Sequence, residues 1–114
     1  MQAIQSPFSS SQSQPVTQIT FIEAAAGRQA EILELVEARA RFMATQPGCL
    51  AISVHRSLDG GRIVNYIQWA DAAQLHAAHR APEFRREWQR LDALAGTIEP
   101  ALYEVVDVVE SARR

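Results

Sequence analysis

The chain contains no lysine: all eleven of its basic residues are arginines. That absence removes Schiff-base chemistry, a pyridoxal linkage and the phosphate-cradling lysine of a P-loop. Cysteine is almost absent as well, Cys49 being the single one. One thiol makes no intrachain disulfide, no multi-cysteine zinc site and no cysteine-ligated iron–sulfur cluster, and it suits a reducing, cytoplasmic compartment. Cys49, between Gly48 and Leu50, reads as a small buried hydrophobe. No apolar run approaches the ~20 residues needed to span a bilayer, so a membrane is not an expected partner. Excess positive charge is missing too, the formal net charge being -2. Without a basic field to draw a phosphate backbone, nucleic acid is not an expected partner either.

What is present, 114 residues at 47% hydrophobic and 21% charged, fits one soluble globular domain. Residues 1–15 are mainly Ser, Gln and Pro with no charged side chain, which reads as a flexible N-terminal tail. They lack the positive n-region and continuous apolar h-region of a signal peptide. The domain is expected over residues 16–110, with a short C-terminal tail at 111–114.

The stretch Arg62-Ile63-Val64-Asn65-Tyr66-Ile67-Gln68-Trp69-Ala70 organises the rest. Strand alternation sends Ile63, Asn65, Ile67 and Trp69 to one face and Val64, Tyr66 and Gln68 to the other. Large apolar groups on both faces mark a central strand covered twice. Asn65 is the exception, an amide either satisfied by neighbouring backbone or held for a ligand.

Before it, residues 16–25 carry the β-branched and aromatic side chains of a first strand, which Gly27 ends. Over residues 28–46 the apolar positions Ile32, Leu35, Val36, Ala40 and Met43 recur at helical spacing, with Glu31, Glu34, Glu37 and Arg41 outward. Pro47-Gly48 stops that helix. A second strand over residues 50–57 alternates Leu50, Ile52 and Val54 against Ala51, Ser53 and His55. Asp59-Gly60-Gly61 signals a hairpin. An even loop places Leu50, Ile52 and Val54 on the face of Asn65 and leaves His55 on the other; an odd loop reverses this, and the even one gathers the aliphatics. Asp71, with Gln74 three residues on, can cap a helix bearing Ala72, Leu75 and His79 on one stripe. Pro82 suits the start of another, with Phe84, Trp88, Leu91 and Ala95 inward and Gly96 at its end. A fourth strand is expected over residues 101–109.

Strand, helix, strand, strand, broken helix, strand is met most simply by a ferredoxin-like βαββαβ sandwich, α+β in class, with a four-stranded antiparallel sheet covered on one face. Val64, Tyr66 and half of the last strand then stand on the bare face. A patch of that size is expected to pair with a second copy, sheet to sheet, as a homodimer.

Pro47-Gly48-Cys49-Leu50, Val64-Asn65-Tyr66-Ile67-Gln68-Trp69, the run from Leu75 through His79 to Phe84, and Leu102-Tyr103-Glu104-Val105 together resemble the antibiotic biosynthesis monooxygenase domain. The resemblance covers residues 16–110 and implies a dimeric α+β barrel. The central strand is most similar to the anthrone-oxygenase subgroup of the actinorhodin pathway, and the His79-to-Phe84 segment to quinol-monooxygenase-like members. The implied activity is a cofactor-independent oxidation of a phenolic or quinol-type aromatic, possible polycycles included, by dioxygen, with neither metal nor flavin. In that subgroup an asparagine and a tryptophan of the central strand line the cavity, matching Asn65 and Trp69. A tyrosine of the following helix has no counterpart here, Leu75 standing in its place.

Dioxygen reacts slowly with closed-shell molecules, so such catalysis needs a substrate anion able to give up an electron, and a pocket that favours the anion. Asn65 and Trp69 offer fixed N–H donors for its oxygen. Ile63, Ile67, Leu75, Phe84 and Trp88 would wall a dry cavity in which those bonds strengthen. His79, on the inward stripe of its helix, is the candidate base, or else a core histidine bonded to a carbonyl. Trp69 and Trp88 also suit plain core packing. His76, at the edge of its helix's stripe, is read as solvated, and no third ligand is placed to share a metal with His79. Two other functions stay open. One is a haem-binding or haem-degrading monooxygenase, although the first strand lacks that type's asparagine. The other is a non-enzymatic dimeric ligand-binding module, which Leu75 encourages.

Overall fold

The first strand, β1, forms over Val16–Ala24, where Thr, Ile and Phe suit a pleated and half-buried surface. The computed structural model describes residues 14–112, so most of the expected N-terminal tail, and the last two residues of the C-terminal one, lie outside the described residues. Gly27, at φ 77, turns the chain into α1, Gln29–Ala44. After it come β2 at Cys49–Arg56, β3 at Arg62–Trp69, α2 at Ala72–His79, α3 at Pro82–Leu94 and β4 at Ala95–Tyr103. The strands make one antiparallel sheet in the order β2-β3-β1-β4, the ferredoxin-like sandwich expected from the element order. Asp71 caps α2 by accepting from the Gln74 N–H at 2.8 Å, and Pro82 opens α3.

The hairpin sets Arg56 opposite Ile63 and Val54 opposite Asn65. The loop is therefore even, Ile52 and Val54 share the face of Asn65, and His55 lies on the other face beside Val64. Leu50 does not follow them. The pairing slips between Cys49 and Ala51, and Leu50 turns outward, 61% exposed.

The fourth strand also differs from its expected span. It starts at Ala95, which the helical spacing had assigned to α3, and ends at Tyr103. The cause is its partner: β4 pairs only with β1, from Ala24 opposite Ala95 to Thr17 opposite Tyr103. Past Tyr103 β1 has little left to pair with, and Val105, Val106, Val108 and Val109 run on as an exposed arm.

The helices cover one face of the sheet. Ile63, Asn65, Ile67 and Trp69 are buried beneath them, while Val64, Tyr66 and Gln68 on the opposite face are half-buried. Phe21 and Tyr103 on that outer face are 43% and 46% exposed.

The covered layer has two apolar halves. One gathers Ile22, Ile32, Val36, Ile63 and Leu91, and the other Met43, Ile67, Trp69, Leu75 and Ala78. Between them runs a polar seam. Asn65 interrupts Ile63 and Ile67 on β3, Thr20 stands opposite it on β1, and Arg39 separates Val36 from Met43 on α1. The inward residues of α1 are thus Ile32, Val36, Arg39 and Met43, with the expected Leu35 and Ala40 only half-buried at its flanks.

Gly48 holds φ 87, and a Cβ there would meet the Gln74 side chain at 2.3 to 2.6 Å. Gly48→Ala should therefore combine left-handed strain with displacement of the residue next to the α2 cap. We expect a loss of about 1–3 kcal/mol in urea-unfolding free energy, with the fold retained.

Candidate functional site

Burying polar groups without partners is costly, so the places where a fold does so are informative. Among the described residues three buried side-chain atoms have no hydrogen-bond partner: Nε of Arg39, Oδ1 of Asn65 and Nε2 of His79. Two belong to the polar seam. The third closes α2 just above it.

His79 sits in a column of rings. Its imidazole stacks on Phe84 with centroids 4.3 Å apart and planes 10° apart, and Phe84 leans on Trp88 at 5.8 Å. Trp69 meets the imidazole edge-on at 6.4 Å and 87°. The Arg39 guanidinium lies over the Phe84 ring at 4.8 Å and over Trp88 at 5.1 Å, a double cation–π contact.

Against this column opens a hollow of about 370 Å³, lined by Gln18, His79, Phe84, Arg85, Trp88, Gln89 and Pro100. Its size suits a small multi-ring ligand. Of the residues expected at a cavity, His79, Phe84 and Trp88 are at its wall. Trp69 lies one layer deeper, fully buried, and its indole N–H donates to Gln18 Oε1 at 3.2 Å. Asn65 is buried at the seam, while Ile67 and Leu75 pack in the Met43 half of the core and Ile63 in the other half. The amide and the indole therefore do not open side by side into the hollow; Gln18 stands between Trp69 and the space. His55 is on the outer face, away from it.

Two site residues were missed from sequence. Gln18 was legible as an inward position of β1, in step with Thr20 and Ile22, but a first strand read only for its β-branched residues hides it. Arg39 completes the 32, 36, 39, 43 spacing of α1, a series that a search for apolar residues alone does not show.

Burial, helped by the positive charge of Arg39 and by His76, pulls the His79 imidazole down from its usual value to about 4. It is neutral at pH 7, able to accept a proton. Arg39 is lowered to about 10 by burial, which Glu87 partly offsets, and it stays charged at neutral pH. Burial pushes the Cys49 thiol up, in keeping with a small packed hydrophobe. Among the described residues no group of three or more His, Cys, Asp or Glu side chains could hold a metal ion, and no helix is long and apolar enough to cross a membrane.

A helix-roofed antiparallel sheet with a ring-walled hollow defines a small α+β sandwich. The sequence model of the antibiotic biosynthesis monooxygenase family matches residues 15–90, and the chain belongs to that family. Membership supports a monooxygenase-like function. Among solved structures the chain is similar to SnoaB from Streptomyces nogalater, described as a cofactor-independent oxygenase. The likeness is 29% identity over 86% of this chain and 99% of that one, at a TM-score of 0.76. A mutant of SnoaB superposes at a TM-score of 0.79 with 25% identity, over 86% of this chain and 99% of that one. Rv0793 from Mycobacterium tuberculosis, at 16% identity over 85% of this chain and 100% of that one, shares the fold at a TM-score of 0.76. None of the curated proteins matches the chain.

Two outcomes follow for the column. Unfolded, His79 takes a proton near pH 6.5, while in the fold it resists until about 4, so the unfolded chain binds more protons between those values. Stability should be full above pH 6.5 and decline as the pH falls toward 4, and His79→Phe, which keeps a ring on Phe84, should flatten that slope in urea titrations. Gln18→Leu should leave the Trp69 indole N–H buried without an acceptor and lower unfolding free energy by about 1–3 kcal/mol.

Proposed function

We propose that the protein is a cofactor-independent monooxygenase that oxidises a phenolic or quinol-type aromatic with dioxygen. The observation that carries this reading is the hollow: aromatic walls, an unpartnered and neutral imidazole, and a polar amide at one side. Family membership and the likeness to SnoaB support it.

In this reading the flat guest lies along Phe84 and Trp88, and His79 Nε2 accepts its phenolic or benzylic proton. With its value near 4 the imidazole is a weak base toward a phenol, but a bound anion raises that value again, because opposite charge favours the imidazolium. Proton transfer and anion stabilisation are thus one event. Gln18 spends its carbonyl oxygen on Trp69, which leaves its NH₂ as donor to the developing oxyanion. Trp69 then acts as a positioning residue through Gln18. Asn65, one layer beneath, keeps an unpartnered Oδ1 and contributes the dipole of a fixed amide.

The anion gives one electron to dioxygen, the two radicals combine into a peroxide anion on the ring carbon, and the His79 imidazolium returns its proton to make the hydroperoxide. Loss of water completes the turnover: one oxygen atom becomes the new carbonyl, and the other leaves with both hydrogens of the substrate. A phenol with a free para carbon becomes a quinone in this way. The chain's residues hold, deprotonate and shield; the electrons come from the substrate.

The deeper seat of Asn65 and Trp69 also supports a second reading, a ligand-binding module that does no chemistry. Oxygen uptake separates the two. Wild-type protein, stripped of metals, should consume oxygen with an anthrone or hydroquinone, and His79→Phe, which removes the base, should lower kcat by roughly 10²-fold. Absence of uptake with every such substrate, while an active family member works alongside, leaves the binding module.

We also propose the homodimer, with the partly covered Val64 and Tyr66, the exposed Phe21 and Tyr103 and the valine arm as its contact surface. Sedimentation equilibrium should give twice the chain mass. Tyr66→Glu should give the monomer, since a charge buried in such a contact lacks a partner.

A further inference from the structure

Arg39 is a side chain that the proposed chemistry leaves unused, and it is an expensive one. It is 4% exposed, its Nε has no partner, and no carboxylate pairs with it among the described residues. A guanidinium in such a place is normally matched by a carboxylate. The nearest acidic influence is Glu87 of α3, but Glu87 is already engaged by Arg90 at 3.3 Å. What Arg39 touches instead is the back of the site: the Phe84 and Trp88 rings that wall the hollow. The other groups bearing on this space are uncharged or positive. Gln18, Thr20 and Asn65 face it or the seam from the sheet, His79 is neutral on α2 with exposed His76 nearby, and Arg85 of α3 stands at the wall.

We propose that Arg39 is the counter-charge of the site: it reserves the hollow for an aromatic ligand in its oxyanion form by keeping a permanent positive charge, only partly offset by Glu87, against the two rings that wall that space. A buried cation whose field a carboxylate offsets only in part makes the adjoining low-dielectric space attractive to an anion and hostile to a cation. Because the charge acts across a ring and not through a shared proton, it does not prescribe which oxyanion. A phenolate and an aryl carboxylate satisfy it equally, and an uncharged isostere does not. The inference takes the aromatic nature of the ligand from the proposed function; the sign of its charge comes from Arg39, with Arg85 at the wall adding to it.

The test uses the full chain and two probe sets, a hydroxyanthraquinone whose phenol changes colour on ionisation, and an anthraquinone carboxylate beside its carboxamide. With wild-type protein in excess, the phenol of the bound dye should ionise at least about one pH unit lower than in buffer, and the carboxylate should bind about ten-fold or more tighter than the carboxamide. Arg39→Met should abolish both preferences, and Arg39→Lys should keep most of each. A bound phenol that ionises no lower than in buffer, equal binding of acid and amide, or a preference that survives in Arg39→Met overturns the proposal. The first two readings need only wild-type protein, so a variant that fails to fold does not rescue it. Oxygen uptake without any anion preference removes Arg39 and leaves the oxygenase, whereas anion preference without uptake does the reverse.

Discussion

The structure depends on how a sheet ninety or so residues in the making tolerates a guanidinium in its interior, and the answer is aromatic faces in place of a carboxylate. Arg39 lies over Phe84 and Trp88, which ties α1 to α3 across the sandwich. Cation–π contacts are worth about 0.5–2 kcal/mol each, less than the desolvation they offset. The arginine is therefore not there for stability. A leucine at that position would join Val36 to Met43 and fuse the two halves of the core, and the seam of Arg39, Asn65 and Thr20 is where the fold forgoes that.

From that seam the rest of the site follows. The rings that shelter Arg39 are the same rings that wall the hollow, and the imidazole stacked on Phe84 takes its neutral state from burial and from the arginine's charge. A neutral imidazole, a cation without a carboxylate partner and an amide held by an indole form a set with polar capacity left over, which is what the proposed anionic guest would use. Preorganised polarity of this kind is how enzymes stabilise developing charge without reorganising when it appears.

The sandwich was legible because its signals are local and repeated. Period-two alternation in β3, the Asp59-Gly60-Gly61 turn, the Asp71 cap and Pro82 each act over a few residues, and each is where the sequence put it. The span of β4 was not legible, because the limit on that strand is the length of β1, some eighty residues away in sequence. The valines of residues 105–109 have the β propensity of a strand but no room beside a partner within the chain. The site was half legible. His79, Phe84 and Trp88 were placed at its wall by helical spacing. Arg39 and Gln18 are polar members of inward-facing series, which apolar periodicity and β propensity do not reveal. The depth of Asn65 and Trp69 beneath the hollow depends on how far α2 and α3 stand off the sheet, which no periodicity carries.

The slipped pairing at Leu50 has its own bearing on how this chain can vary. By turning one residue outward it lets Cys49, opposite Trp69, and Ile52, opposite Ile67, both face the helices, which strict alternation forbids for positions three apart. The identity of the everted residue matters little, because it is extra to the ladder: without it Cys49 would stand next to Ala51 in ordinary alternation and still opposite Trp69. The Gly48 carbonyl that accepts from Ala70 just past Trp69 would keep its place. This corner of the molecule is thus permissive of substitution at Leu50 and of its loss.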